Sequence, residues 1–159
     1  MLTFFKELFL FIKLKIMSTY PLSTCHFKVE WGGSRIGVTE VIGLSMEINT
    51  INYREGAEVE YIPNVMPGQE KINPIILKRG IVKGDNEYYE WLNTVKLNTV
   101  ERRDLTISLL NENHEPVVTW KLTNAFPTKI TWSDLKAHAN EPAIESIEIT
   151  HEGMSVQNE

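Results

Sequence analysis

The chain has a single cysteine, Cys25, among its 159 residues, and this scarcity excludes two kinds of construction. One thiol forms no internal disulfide framework and supplies no cysteine-based zinc site. Such sparing use of cysteine fits synthesis in the cytosol, where disulfides are rare. The sequence therefore predicts one domain held together by an apolar core, which a chain of this length is large enough to build.

Basic residues are also scarce relative to acidic ones. The 16 lysines and arginines are outnumbered by 21 aspartates and glutamates, so the formal net charge is −5. This balance favours solubility and argues against an extended surface for nucleic-acid phosphates. We expect no specific recognition of nucleic acid.

The sequence lacks a hydrophobic run long enough to span a membrane. In residues 1–17 the apolar run Leu8 to Ile12 is too short, and Lys13 and Lys15 interrupt the apolar residues after it. A signal peptide is not visible either. We interpret residues 1–17 as an extension outside the fold that reflects a mis-called start, and we expect no stable membrane anchoring. The alternative is an amphipathic helix that docks on a membrane or a partner.

Catalytic and metal-binding patterns are missing as well. The sequence has no phosphate-binding glycine loop, no nucleophile elbow and no HExxH motif. Asp134 and His138 are spaced i, i+4 with Glu141 nearby, but such a pair arises often by chance. Cys25 and His26 are adjacent, so on a strand they point to opposite faces. We expect no catalytic residue, no cofactor and no metal, and hence no enzyme.

One stretch carries a clear helical pattern. Asp85 lies where an N-cap belongs, after Gly84. The apolar residues after it recur at i, i+3, i+4 and i+7, which places them on one face. We predict a helix over about residues 85–97 that packs on the rest of the fold through Tyr88, Trp91, Leu92 and Val95.

Most of the remaining chain alternates with period two, as half-buried strands do. Gly32 and Gly33 mark a hairpin turn after the first of these runs. Apolar residues then hold even positions as far as Ile48 and odd positions after Thr50, so we expect a bulge there. Pro127 is predicted to end a later strand. We expect the core domain to span 18–153 and residues 154–159 to be a frayed tail.

These patterns define the fold class. The chain is predicted to be mainly β, an antiparallel β-sandwich or barrel of about seven or eight strands with one flanking α-helix. Several strands carry small polar residues on their second face, as expected of a sheet that borders water. Such a face suits an aqueous channel, and it equally suits any solvent-facing sheet.

The segment at about 54–72 differs from an ordinary connection. It is long for a loop in a compact domain, and long loops are usually functional or disordered. It also carries apolar side chains that need cover. We predict an extended arm that packs on a neighbouring subunit through Tyr53, Arg54, Glu55, Val59, Tyr61, Ile62, Val65 and Met66. The alternative is a loop folded back on its own core.

Six short pieces of the sequence, in the same order, resemble one protein family. They are Tyr53-Arg54-Glu55-Gly56, Leu77-Lys78-Arg79-Gly80, the helix around Trp91, Arg103-Asp104 with Ile107-Ser108-Leu109-Leu110, the run 120–127 (WKLTNAFP), and the closing run 140–148 with His151-Glu152-Gly153. Together they resemble the tail tube proteins of contractile phages and the inner tube proteins of phage-like contractile injection systems. The resemblance covers roughly Phe27 to Gly153.

The resemblance implies a structural subunit. Its copies would form hexameric rings stacked into a hollow tube, with neighbouring sheets joined into one β-barrel around the lumen. A contracting sheath would drive that tube through a target envelope. The implied partners are further copies of the chain, the sheath protein, baseplate or spike and terminator proteins, and cargo in the lumen.

The resemblance also suggests charged contacts between subunits. The residues expected to make them are Lys78, Arg79, Arg102, Arg103 and Asp104. The particle would be synthesised and assembled in the cytoplasm and then act as part of a virion-like or injection particle that is released from the cell.

Two other functions compete with this interpretation. A ring protein of a type VI secretion system would share the architecture and act inside a membrane-anchored machine. A lipocalin-like binder of small ligands would be a monomer with a closed pocket, using His26 or the pair Asp134 and His138.

Overall fold

The computed structural model describes residues 21–57, 59 and 61–158. Within them lie ten strands and one helix. The strands are β1 (Phe27–Trp31), β2 (Ser34–Ile36), β3 (Glu40–Ile42), β4 (Glu47–Tyr53), β5 (Asn64–Lys71), β6 (Ile75–Gly80), β7 (Arg103–Leu110), β8 (Pro116–Trp132), β9 (Ile144–Thr150) and β10 (Gly153–Asn158); the helix α1 is Glu87–Lys96. The extension at residues 1–17 lies outside the described residues.

Eight of the strands form one antiparallel sheet that folds over on itself. Its order is β2-β1-β7-β8-β9-β6-β3, and β10 pairs with β8 beside β9. The 17-residue strand β8 belongs to both halves of the sheet. Its first half pairs with β7 and β10, and its second half pairs with β9. The mainly β, sandwich-like fold class with one helix is confirmed.

The two halves of the sheet enclose one apolar core. Its members alternate along their strands with exposed or half-buried residues, which explains the period-two pattern of the sequence. The buried core consists of Val29, Trp31, Ile36, Ile75, Leu77, Tyr88, Trp91, Leu105, Ile107, Leu122, Ala125, Ile147 and Ile149.

Helix α1 closes one end of this core. The ring of Trp31 lies 5.0 Å from that of Trp91 and 5.6 Å from that of Tyr88, measured between centroids. The indole Nε1 of Trp91 donates to the Glu101 carbonyl oxygen at 2.7 Å, so its polar atom is satisfied. Tyr88 and Trp91 are buried, and the predicted Leu92 and Val95 are half-buried on the same helix.

The helix begins two residues later and ends one residue earlier than predicted. Asn86 occupies the N-cap position, and Leu97 follows the last helical residue. Asp85 still contributes to the helix start, because its Oδ1 accepts a hydrogen bond from the Glu87 backbone N–H at 3.2 Å. The Asp85 carboxylate thus satisfies one of the free backbone N–H donors of the first helical turn, although Asp85 lies one residue before the N-cap.

Two predictions about the strands are wrong. Pro127 does not end a strand, because β8 runs through it with a bulge between residues 127 and 129 that accommodates the missing N–H. Residues 154–158 are not frayed, because β10 pairs with residues 118–123 of β8. The even-phase apolar run Ile36 to Ile48 is divided among β2, β3 and β4.

The glycine hairpin is confirmed. Gly32 and Gly33 have φ values of 55° and 85°, as a tight turn between β1 and β2 requires. Across the part of the chain that the structure describes, no helix has the length and apolar character needed to cross a membrane.

Candidate assembly interface

A two-stranded hairpin stands apart from the sandwich. Strands β4 and β5 pair with each other and with no other strand among the described residues. Every residue of β4 is exposed on both faces, and β5 is exposed except for the half-buried Gly68. We call residues 47–71 the arm. We call residues 54–63, which connect its two strands, the arm tip. A free two-stranded hairpin is marginally stable in water, so this arm calls for external support.

The arm presents apolar side chains to solvent. At its tip, Val59, Tyr61 and Ile62 are 93%, 87% and 76% exposed. Its strands add Ile48, Ile51, Tyr53, Val65 and Met66, all exposed. Exposed apolar side chains in this number on one hairpin are typical of an interaction site.

The eight arm residues predicted from the sequence all lie on this hairpin and all are exposed. The guanidinium of Arg54 lies 4.8 Å from the centroid of the Tyr61 ring, and the Tyr53 hydroxyl donates to Glu55 Oε1 at 3.4 Å. These contacts are within the arm, so the alternative of a loop folded on its own core is wrong. A contact with a neighbouring subunit stays a prediction at this point.

Sequence reasoning missed the first strand of the arm. The arm begins at Glu47 and not at about residue 54, because β4 carries the same alternation as a core strand. One signal was visible: the change of apolar phase around Thr50. The structure has its register shift between Ile48 and Thr50, as predicted.

The root of the arm is fixed by polar contacts. Lys71 Nζ lies 3.1 Å from Glu47 Oε2, and Asn73 Nδ2 donates to Ser45 Oγ at 3.0 Å and to Glu47 Oε2 at 3.4 Å. The hydrogen bond from Lys71, followed by that from Asn73, lowers the pKa of the Glu47 carboxyl below its usual value. The carboxylate therefore stays ionised and ties both strands together where they leave the body.

Gly43 sets the chain path into this root. Its φ is +94°, and a Cβ at this position would lie 2.5 Å from the Pro74 carbonyl oxygen. Only glycine accepts both the left-handed backbone and the close approach. The segments before β4 and after β5 are thus held against each other.

Arg79 was expected to contact a neighbouring subunit, and this expectation is wrong. Its side chain is only 6% exposed and lies inside the subunit. Nε donates to Glu145 Oε1 at 2.6 Å, and Nη1 and Nη2 donate to the two carboxylate oxygens of Asp85 at 3.0 and 3.1 Å. The guanidinium also lies 4.0 Å from the centroid of the Tyr88 ring. Arg79 thereby joins β6, β9 and the start of α1.

Burial and charge act in opposite directions in this cluster. Burial disfavours the Arg79 cation, but the hydrogen bond and charge of Glu145, with the charge of Asp85, outweigh it and raise the pKa of Arg79. Burial also raises the pKa of the Tyr88 phenol, and the nearby Arg79 cation offsets this only in part. The arginine therefore stays charged and the phenol neutral.

The other four residues expected to make intersubunit charge contacts have partners in their own chain. Lys78 Nζ lies 3.1 Å from Glu40 Oε2 across the β3–β6 pair. Arg102 pairs with Glu152, Arg103 Nε lies 3.0 Å from Glu101 Oε1, and Asp104 Oδ1 accepts from the Asn124 N–H at 3.1 Å. The three salt bridges among these contacts are at least partly open to solvent. That their charged side chains pair with a neighbouring subunit on assembly stays a prediction.

The sheet has unpaired edges and polar rows on its outer face. Among the described residues, β2, β3 and β10 each pair on one side only. Cross-strand registers align small polar and charged residues between β1, β7, β8 and β10. The two rows are Lys28–Ser108–Thr119–Gln157 and Glu30–Thr106–Lys121–Ser155.

The histidines form no metal cluster. No group of three or more His, Cys, Asp or Glu side chains is placed to hold a metal in the described part of the chain. The structure brings together the rings of His26 and His114, whose centroids are 5.4 Å apart, a contact that sequence reasoning missed. His151 is buried at the junction of β9 and β10.

Comparisons with known proteins bear on the domain as a whole. Residues 23–155 match the family described as T4-like virus tail tube protein gp19. No curated protein sequence matches the chain significantly.

Several solved structures are similar. A chain of the PVC sheath–tube complex in the extended state, from an extracellular contractile injection system, has 34% sequence identity and a TM-score of 0.83, covering 91% of this chain and 97% of that one. A chain of the anti-feeding prophage cap, described as the AFP tube terminating cap, has 37% identity and a TM-score of 0.81, covering 89% and 93%. An Hcp protein with 14% identity and a TM-score of 0.52, covering 84% and 98%, shares the fold alone.

Proposed function

Since this chain belongs to the T4-like virus tail tube protein family, whose members are structural tube proteins and not enzymes, we propose that its copies assemble into hexameric rings that stack into a hollow tube. The tube would be the inner tube of a contractile injection particle, with cargo in its lumen. The observation that carries this proposal is the exposed apolar arm.

The arm supports assembly on energetic grounds. Burying an Ile, Val or aromatic side chain contributes roughly 1.5–3 kcal/mol, so three side chains at the arm tip contribute several kcal/mol per contact before the cost of association. Val59, Tyr61 and Ile62 gain no such burial within their own chain. Because each copy in a ring and in a stack repeats the contact, the contributions accumulate along the tube.

The sheet supports assembly in a second way. Unpaired edges on β2, β3 and β10 leave backbone donors and acceptors free to pair with another copy. Joining sheets edge to edge would remove these free edges, as closure of a barrel does. The polar rows, in which only Ser108 is buried in the single chain, are chemically suited to a water-filled lumen, because their side chains are polar or charged.

The proposed setting follows from the PVC likeness. That structure is a sheath–tube complex of an extracellular contractile injection system, and at 34% identity the likeness spans most of both chains. By the same route, the proposed partners of this chain are a sheath, which drives the tube, and terminating proteins at its end, with a baseplate at the other. Assembly in the cytoplasm and action outside the cell belong to the proposal.

The test is assembly of the purified chain. Wild-type protein is expected to form tubes in negative-stain micrographs and a large species in light scattering. Substituting Val59→Ser, Tyr61→Ser and Ile62→Ser together is expected to abolish tubes and leave a folded subunit, because these side chains do not contribute to the core.

A matched control removes exposed apolar side chains elsewhere. Val82→Ser, Leu97→Ser and Leu135→Ser together change residues that are 64%, 67% and 91% exposed and lie outside the arm. This control is expected to form tubes. Normal tubes from the arm variant, or a wild-type chain that stays monomeric under all assembling conditions, would contradict the proposal.

A further inference from the structure

Two histidines that are far apart in the sequence lie side by side on the surface of the sandwich. The ring centroids of His26 and His114 are 5.4 Å apart, and both residues are exposed. The Leu110 N–H donates to the His26 carbonyl oxygen at 2.8 Å, which holds His26 beside the end of β7. Among the described residues neither imidazole has a hydrogen-bond or ion-pair partner, so the ring nitrogens are available to a ligand from solvent. We call these two residues the histidine pair.

The turn between β7 and β8, which carries His114, is fixed by its own hydrogen bonds. Asn111 Oδ1 accepts from the backbone N–H groups of Asn113 and Glu115, each at 2.9 Å. The His114 N–H donates to the Asn111 carbonyl oxygen at 3.0 Å. The φ of His114 is +60°, a left-handed conformation that is uncommon for residues other than glycine. The turn therefore sets the backbone of His114, and the side-chain torsions orient its ring.

The charges near the histidine pair favour a cation. Lys28, two residues after His26, is already paired, because its Nζ lies 3.1 Å from Glu30 Oε1. The turn that carries the second histidine contains two exposed carboxylates, Glu112 and Glu115. Because the one neighbouring cation on β1 is neutralised and the turn is acidic, the local potential attracts a positive ion.

The separation of the two rings matches that of two imidazoles bound to one metal ion. With a metal–nitrogen bond of about 2.0–2.1 Å and about 1.2 Å from nitrogen to ring centre, a tetrahedral ion places the two centroids about 5.2 Å apart. The observed 5.4 Å is close to this value. Bringing one nitrogen of each ring to the ion requires rotation of the side chains, which two exposed residues permit.

We propose that His26 and His114 together bind one divalent ion of the late first transition row, with water completing its coordination shell. Imidazole nitrogen suits Ni²⁺, Cu²⁺ and Zn²⁺, whereas Mg²⁺ prefers oxygen ligands. Two protein ligands make an exchangeable surface site, since a closed structural zinc site takes four. The bound ion bridges the start of β1 and the turn between β7 and β8. This proposal goes beyond the tube function and does not depend on assembly.

Metal binding to the untagged full chain tests the histidine pair. Equilibrium dialysis against NiCl₂ and, separately, ZnCl₂ is expected to give one tightly bound ion per chain, and dialysis against MgCl₂ none. His26→Gln and His114→Asn each remove one imidazole, and asparagine tolerates the left-handed backbone at residue 114. Each variant is expected to bind about tenfold more weakly or less, because the second imidazole captures an ion that the first already holds nearby. The double variant is expected to lose little more than either single variant, since the two imidazoles act as a unit.

Two matched controls separate the histidine pair from other ligands. His138→Ala removes an exposed imidazole that makes no ring contact in the described part of the chain, and Cys25→Ser removes the exposed thiol next to His26. Both variants are expected to bind nickel and zinc as the wild-type chain does. Wild-type binding no tighter than that of the double variant, or a control that loses as much affinity as His114→Asn, would overturn the inference. Either result would leave the proposed function standing, because tube formation is tested without metal.

Discussion

The buried charge cluster around Arg79 allows the most quantitative prediction. Arg79→Ala removes the cation that binds Glu145 at 2.6 Å and Asp85 at 3.0 and 3.1 Å. The two carboxylates respond differently, because the Glu145 side chain is 10% exposed whereas that of Asp85 is 38% exposed. Asp85 recovers water, and Glu145 remains as a buried charge without its partner.

The expected cost follows from that difference. Removing one partner of a buried ion pair typically destabilises a protein by about 3–5 kcal/mol, mainly through the charge left behind. We assign nearly all of this to Glu145 and little to Asp85, whose pair with Arg79 is partly screened by solvent. For a chain of this size 1 kcal/mol corresponds to about 2–4 °C, so Arg79→Ala is expected to lower Tm by roughly 10 °C.

A double substitution tests the reasoning and not only the size of the effect. Arg79→Met with Glu145→Leu removes both charges and keeps much of the volume, so it is expected to recover most of the lost stability. Urea unfolding is measured in the background of the serine-substituted arm tip, where the subunit stays monomeric. A loss below about 1 kcal/mol for Arg79→Ala, or a double variant no more stable than the single one, would refute the assignment.

Two further predictions concern the packing of the helix and the arm root. Tyr88→Phe is expected to leave stability unchanged or raised by up to about 1 kcal/mol, because the buried Tyr88 hydroxyl has no hydrogen-bond partner among the described residues. Burial raises the folded pKa of Tyr88 above its unfolded value of 10.0. The contribution of the neutral phenol to folding stability is therefore complete below pH 10 and is lost as the pH rises further. Above pH 10 the phenylalanine variant is expected to lose less stability than the wild-type protein, as measured by urea unfolding at each pH. Equal losses in both proteins would contradict this. Gly43→Ala is expected to cost roughly 1–3 kcal/mol or more, since it combines a positive φ with a close contact to Pro74, whereas Gly37→Ala, with no described atom within 4 Å of its Cβ position, is expected to cost less than 1 kcal/mol in the same assay.

Sequence patterns predicted which face of the helix is buried and which alternate residues of most strands point into the core. They could do so because the spacing of apolar residues reports directly which side chains avoid water. The same rule failed for β4, where the apolar residue Ile48 faces solvent in the single chain. An alternating pattern shows that one face of a strand is to be buried. It does not show whether that face packs on the core of the same chain or on another copy.

Other misses have different physical causes. In residues 154–158 only Met154 and Val156 alternate with polar residues, which is too short a run for a clear strand signal, and their pairing depends on the free edge of β8 that only the fold supplies. Arg79 was expected at a contact between subunits because of the family resemblance, although it shares the inward phase of Ile75 and Leu77. Glu145 likewise shares the phase of Ile147 and Ile149, so the buried pair was visible in the alternation of two strands.

The position of the arm in the assembled particle tests the proposed interface most directly. A cryo-EM reconstruction of the assembled wild-type chain shows this position. We predict stacked rings in which every arm contacts another copy and Val59, Tyr61 and Ile62 are buried at that contact. A tube whose arms extend freely into solvent, or a protein that remains a monomer, would contradict the central claim.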